Sequence, residues 1–578
     1  MQYLLTFLLS LISAILAVSS SSNILPSASG TGLIPTSTPT LTVTVKNGSY
    51  FGTHHSSFNQ DFFLGIPFAK PPIGQLRFRN PESLNTTWTG VRPATNYAWE
   101  CVGYGNDQLG YLQSEDCLYL NVIRPSGYEN TSLPVLVWIY AGGFSMGGTP
   151  DRRYNLSFIV ENSVRIGKPI IGASMGYRLS AWGFLNSDEI ADAGQTNIGL
   201  RDQRLALHWI QENVDAFGGD PSKVTIWGQS AGAESVGYQL NAYNGRDDHL
   251  FRAAIMQSGP AIPGNALNTS DSYQSMYDGI VELAGCAGTT DTLDCLRTTP
   301  FTVLNSILNT TEFDDDWSPT LDGDFVARYP SDQLSDGDFV HVPIIAGCTS
   351  DEGTAFSPQE MNNLSDFVWY LNNTSIRQMA LPENLVEDIL AIYSGKGDML
   401  IPSSQTLGGN VIFPEPYGAL FRRSAAYWGD ETFIAGRRWT CEAWSKANLT
   451  AYCYRFNTIP AGAPWEDGAT HFSDVAFIFN NLNGYGYAVN PFLDKPESYT
   501  ELSFLMSNSW ASFVHDLNPN NWTGLGRNAT RAGDWPTYDY NDPQNMVWDA
   551  NVTSYVEADT WRAAGINFIN SIASYYHR

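Results

Sequence analysis

Gly228-Gln229-Ser230-Ala231-Gly232 sets a hydroxyl between two glycines, directly after the strand-like run Val224-Thr-Ile-Trp227 and before a run of helix formers. A strand that turns this sharply into a helix needs glycine on both flanks, because a side chain there would strike neighbouring backbone. The turn lifts the serine clear of the sheet at a helix N-terminus, whose partial positive charge favours a developing oxyanion. The G-x-S-x-G pattern is weak by itself. Glycine fills 51 of 578 positions, and Gly143-Phe-Ser145-Met-Gly147 and Gly172-Ala-Ser174-Met-Gly176 match it too. Ser145 lies in a Gly-rich loop with no helix after it. Ser174 ends an apolar strand and runs into Tyr177-Arg-Leu-Ser-Ala-Trp-Gly183, which is poor helix material. Only Ser230 has a strand before it and a helix after it.

A serine hydroxyl is a poor nucleophile until a base takes its proton, and the base is held by a third group, usually a carboxylate. Of eight histidines, His208 falls in mid-helix and His341 at the wrong end of a strand. His54, His55, His249, His515 and His577 have polar surroundings. His471 differs. It follows the strand Ala451–Phe456 through a loop rich in Gly, Ala and Pro, where a base belongs. The strand Val342–Cys348 runs into Thr349-Ser-Asp-Glu-Gly353, so either Asp351 or Glu352 could orient His471. The acidic run 314–316 reads as a solvated loop. An oxyanion hole needs backbone N–H groups open to close approach. Tyr140-Ala-Gly142-Gly143-Phe144, after the strand Val135–Tyr140, offers such a loop, and the N–H of Ala231 completes it.

These residues need a frame. Short apolar runs at Val135–Tyr140, Pro169–Ser174, Val224–Trp227, Ala253–Met256, Val342–Ile345 and Ala451–Phe456 alternate with helical segments such as Gly199–Asn213. That alternation predicts an α/β fold with a large, mostly parallel sheet covered on both faces, and reactive groups at the carboxyl ends of strands.

Residues 1–19 are apolar and end in small residues, as a cleaved signal peptide does, and 20–40 form a Ser/Thr/Pro-rich mobile leader. No later run suggests a membrane anchor. Thirteen N-x-S/T sequons, from Asn47 to Asn551, point to a glycosylating secretory route and an extracellular destination. The net charge of -27 opposes binding to nucleic acid or anionic membranes. The length would normally suggest several domains, yet no linker or repeat interrupts 41–578, which reads as one catalytic domain with long insertions. Seven cysteines in a secreted chain should mostly pair. Cys101 lies near Cys117 and Cys286 near Cys295, and these are the preferred bridges. Cys441 and Cys453 could form a third, leaving Cys348 free, although spacing alone does not fix connectivity. No Cys/His cluster has metal-ligand spacing, and no metal or cofactor is expected.

The chain resembles the type-B carboxylesterase/lipase family, which also contains the cholinesterases and fungal lipases. The matching stretches are Gly65–Phe78, Ser114–Val122, Trp138–Phe144, Asn197–Arg204, Phe217–Pro221, Gly228–Ser235 and Ser350–Gly353, in family order. The resemblance implies an α/β-hydrolase fold and ester hydrolysis through an acyl-enzyme. It implies Ser230, Glu352 and His471 as the triad, choosing Glu352 over Asp351. It also implies Gly142, Gly143 and Ala231 as oxyanion donors, and the bridges Cys101–Cys117 and Cys286–Cys295.

Three departures bear on function. The first glycine of the family's oxyanion triplet is Ala141 here, but the family's donors are the second and third. Gln229 stands where the family usually has Glu, which removes a negative charge and weakens a case for cationic choline esters. Cys101 and Cys117 enclose only residues 102–116, where family lipases carry a much longer lid; Leu109, Tyr111 and Leu112 are expected to line the mouth of the site instead. The expectation is a secreted esterase acting on small soluble esters, with a lipase on longer-chain acylglycerols as the alternative. A non-catalytic adhesion relative should have lost a member of the triad, and all three are present.

Overall fold

The computed structural model describes residues 41–313, 317–373, 378–404, 406–407, 409, 411, 413–414, 416–527 and 533–578. The proposed signal peptide and leader at 1–40, the acidic run 314–316 and the sequon at Asn528 lie outside the described residues.

Eleven strands form the principal sheet. In chain order they are β1 (Thr53–His55), β2 (Gln60–Pro67), β3 (Tyr119–Pro125), β4 (Leu133–Ile139), β5 (Ile171–Met175) and β6 (Gly219–Gln229). They continue with β7 (Ala253–Gln257), β8 (Ile344–Thr349), β9 (Ala451–Phe456), β10 (Gln544–Trp548) and β11 (Tyr555–Ala558). The spatial order is β11-β10-β9-β8-β7-β6-β4-β5-β3-β2-β1. From β5 to β10 every neighbouring pair is parallel; β1, β2, β3 and β11 join antiparallel.

The central strands form where the chain is continuously apolar. Every residue of β4, β5, β7 and β8 is buried, as a parallel sheet covered on both faces requires. Trp138 and Trp227 are in register on β4 and β6, and their rings meet at 4.5 Å. Phe479 closes on the pair at 4.6 Å from Trp227, so an aromatic cluster packs against β4 and β6. The helices α1 (Ile198–Asn213), α2 (Ala231–Gly245), α3 (Ala435–Lys446) and α4 (Glu497–Asp516) pack around the sheet. Bridges join Cys101–Cys117, Cys286–Cys295 and Cys441–Cys453, and Cys348 is a buried free thiol.

The loop closed by Cys101–Cys117 departs from expectation. Its stem is a two-stranded ladder, Glu100–Cys101 with Gln113–Ser114. Asp107 pairs with Arg153 at 2.7 Å, and the Tyr111 hydroxyl accepts the Arg152 N–H at 3.3 Å. So tethered, the loop turns Leu109 (73% exposed) and Leu112 (65% exposed) to solvent, and they do not line the mouth of the site.

Glu100, in that stem, is buried, and neither carboxyl oxygen has a hydrogen-bond partner among the described residues. Burial, with Asp151 and Asp107 nearby, pushes its carboxyl from 4.5 up to about 8 against the pull of Arg153. A folded-state value raised this way gives stability that is complete at low pH and lost as pH climbs through about 8. Chemical denaturation at about pH 5 and about pH 9 should therefore show a loss at the higher pH, to which Glu100 contributes on the order of 3 kcal/mol. Glu100→Gln should reduce that loss, part of which Asp351 and Asp474 also carry, and leave stability at low pH little changed. A variant that loses as much stability as the parent would refute the assignment.

Candidate active site

The turn after β6 holds Ser230 at φ 53° and ψ -129°. This left-handed backbone costs a non-glycine residue about 1–3 kcal/mol and persists only where its surroundings enforce it. Here they do. Ser230 N–H donates to Gln257 O at 2.8 Å, and Ser230 O accepts from Glu234 N–H at 2.9 Å. A Cβ at Gly228 would lie 2.1 Å from Gly232 O, and one at Gly232 would lie 2.2 Å from Ile139 O. Both glycines are thus required by the close packing of β6, β4 and α2, which begins at Ala231.

The loop after β4 is equally constrained. Gly142 sits at φ 107° and Gly143 at φ 64°. The Gly142 carbonyl accepts from Ser145 N–H and Met146 N–H, both at 3.0 Å. Gly143, Ser230 and Ala231 line one cavity of about 270 Å3. Aromatic rings, those of Phe356, Trp428 and Phe433 among them, and the carboxylates of Glu234 and Glu431 border it. These residues come from segments far apart in sequence, and nothing in the chain's local patterning marks them as neighbours.

His471 comes from the loop after β9 and meets Glu352 after β8. His471 Nδ1 lies 2.6 Å from Glu352 Oε2, and Glu352 Oε1 accepts the Thr349 N–H at 2.7 Å. Asp351 is turned elsewhere: its Oδ2 accepts the Ala469 N–H at 2.8 Å and braces the loop that carries His471. Burial pushes the Asp351 carboxyl up to about 7. The imidazole is clasped by Phe433, stacked at 4.7 Å, and Phe356, edge-on at 5.0 Å.

Two further buried polar residues sit beside this group. Asp474, one turn beyond His471, accepts from Tyr454 Oη–H at 2.9 Å and Gln257 Nε2–H at 3.1 Å, and burial pushes it up to about 6. Its spacing of three from His471 was the available signal. Gln229 brings its Nε2 to 3.2 Å from His471 Nε2. Neither Ser145 nor Ser174 lines the cavity that Ser230 lines. Ser145 Oγ faces the Gly143 carbonyl at 3.5 Å, and Ser174 Oγ accepts from Asn121 Nδ2 at 3.1 Å within the sheet.

A buried carboxylate on an imidazole, a strained serine at a strand–helix turn and a glycine loop sharing its cavity together form the layout of an acyl-transfer enzyme. Comparison with known proteins agrees. Residues 39–564 match the model of the carboxylesterase family. The chain is 34% identical to Secreted lipase 1 of Botryotinia fuckeliana, over 93% of this chain and 94% of that protein. It is 31% identical to the secreted triacylglycerol lipase LIP1 of Gibberella zeae, over 92% and 90%. The crystal structure of Aspergillus niger EstA superimposes with a TM-score of 0.79 at 27% identity, covering 93% of this chain and 99% of EstA. The chain belongs to the carboxylesterase family. Its fold is the α/β-hydrolase fold, and it is a carboxylic ester hydrolase with a small-molecule ester as substrate.

Proposed function

We propose that the chain is a secreted serine esterase whose catalytic domain spans 41–578, with Ser230 as nucleophile, His471 as base and Glu352 as the acid that orients it. The observation that carries this reading is the Glu352–His471 contact at 2.6 Å, beside the turn that presents Ser230. Glu352 holds the Nδ1–H tautomer, which leaves the Nε2 lone pair to take the Ser230 proton as Oγ bonds to the ester carbonyl carbon. The carbonyl oxygen gains the charge and is met by the N–H groups of Gly142, Gly143 and Ala231. Collapse breaks the bond to the alcohol, which leaves with the proton from Nε2. Water then repeats the sequence on the acyl-enzyme and frees the acid. Export is supported by the sequons, the three bridges and the names of the secreted relatives. No helix among the described residues is long and apolar enough to cross a membrane.

The substrate class we propose is a soluble ester with a short to medium acyl chain. A cavity of about 270 Å3 lies just below the ~300–1,000 Å3 typical of small-molecule sites, and Glu234 and Glu431 interrupt its apolar wall. The tethered loop at 101–117 leaves little length for a flap to swing. The names of the relatives favour a second reading, hydrolysis of acylglycerols. A chain-length series of nitrophenyl esters, with and without an emulsified interface, separates the two. The expected result is a maximum at short to medium chains and a rate that rises smoothly through the solubility limit. A sharp jump when droplets appear would favour the lipase reading.

A further inference from the structure

Gln229 is fully buried immediately before Ser230, and its amide faces the nitrogen of His471 that catalysis uses. With His471 Nδ1 committed to Glu352, Nε2 alternates between a lone pair in the neutral ring and an N–H in the imidazolium. An uncharged amide can answer both, offering N–H from one end and a carbonyl from the other. Gln229 Oε1 has no hydrogen-bond partner among the described residues, so exchanging the two ends of the amide gives up no other bond. The ring is also held at a fixed place against it. Gln257, the register partner of Gln229 on β7, points to the same side of the sheet and donates to Asp474, pinning the turn 471–474.

We infer that Gln229 is a positioning residue that turns its amide with the protonation state of His471, donating from Nε2 to the neutral ring and accepting at Oε1 from the ring N–H once the Ser230 proton has been taken up. The inference rests on the reading of Ser230 and His471 as nucleophile and base. The turn moves no proton and breaks no covalent bond. Because the amide N–H occupies the lone pair that the Ser230 proton must reach, it gives way before or during the transfer. A carboxylate at 229 would answer only the imidazolium and hold its proton to higher pH. An apolar side chain would answer neither state.

The test compares Gln229→Glu and Gln229→Leu with the parent by kcat, KM and the pH profile of kcat/KM on one nitrophenyl ester. The other charged groups around the ring are common to all three proteins. Glu352 and Asp474 flank it, Phe433 and Phe356 present only rings, Glu431 is turned to Arg578, and Arg153 lies over Phe472. Gln229→Glu should move the acid limb of kcat/KM up by about one pH unit or more. Gln229→Leu should lower kcat by about tenfold at every pH, with KM little changed and the limb in place. A role in packing alone would move neither the limb nor the ratio of the two kinetic constants. Superposable profiles for the parent and Gln229→Glu, or a parental kcat in Gln229→Leu, would overturn the inference. Peptide-mapped labelling of the parent by an organophosphonate keeps the two ideas apart. Label away from Ser230 defeats the underlying reading; label on Ser230 with unaltered variants defeats only the role of Gln229.

Discussion

Ser230→Ala is expected to reduce kcat on a nitrophenyl ester by about 10^4-fold or more, leaving only the slow turnover that binding and an oxyanion site sustain without a nucleophile. The size follows from the geometry. Ser230 alone among the three candidate serines sits in strained backbone at the head of a helix and lines the cavity with Gly143 and Ala231. Ser174→Ala removes a hydroxyl whose partner is Asn121 inside the sheet, so kcat should stay within about threefold. Ser145→Ala touches the oxyanion loop through Gly143 O, and a somewhat larger loss, about fivefold, is expected. An organophosphonate should label the parent once, on the peptide that contains Ser230. Label on Ser145 or Ser174, or a Ser230→Ala enzyme that keeps measurable burst kinetics, would end the assignment.

The parts of this molecule legible in sequence are those whose signal is local. The central strands announced themselves because both faces are buried and the residues run apolar without a break; β9 has the expected bounds, Ala451–Phe456. The turn at Ser230 was legible because close approach at Gly228 and Gly232 leaves no room for any other residue. Cys101–Cys117 and Cys286–Cys295 were preferred for their short separations and by the family resemblance, whereas spacing left Cys441–Cys453 only a possibility, which the structure forms. The antiparallel strands β1, β2, β3 and β11, and the parallel strand β10, were not foreseen. β11, at the edge, mixes half-buried and exposed residues and carries no continuous apolar run. The cavity walls were out of reach for another reason, since Phe356 reaches the helical run that carries Trp428 and Phe433, and both reach Ser230, only through the tertiary fold. Leu109 and Leu112 misled because their hydrophobicity says nothing of direction, and the ladder and bridge at the loop's stem decide that they face solvent. Asp351 and Glu352 are equal candidates in sequence. Only their side-chain directions separate them, and the resemblance to a family stood in for that geometry.

The same pair supplies the second large effect. Glu352→Gln should lower kcat by about 10^3–10^4-fold with KM little changed. Glu352 is buried with both oxygens engaged, Oε2 toward His471 Nδ1 and Oε1 on the Thr349 N–H. The Thr349 N–H needs an acceptor, so a glutamine keeps its carbonyl there and turns its NH2 toward the imidazole. That group donates, so Nδ1 must present its lone pair and the ring proton moves to Nε2. The nitrogen meant to accept the Ser230 proton is then already occupied, and the charge that favoured the imidazolium is gone. Asp351→Asn is the control. Asp351 accepts the Ala469 N–H, a bond that an asparagine carbonyl can keep, and its carboxyl is already pushed up to about 7 by burial. Its loss of charge should change kcat by less than about threefold, with a small gain in stability above neutral pH where the parent must bury a carboxylate. Steady-state kinetics of the two variants on one ester decide the matter, with thermal unfolding of each to show that both fold. Near-parental turnover in Glu352→Gln, together with a collapse in Asp351→Asn, would transfer the orienting role to Asp351 and require a different seating of His471 from the one at 2.6 Å from Glu352.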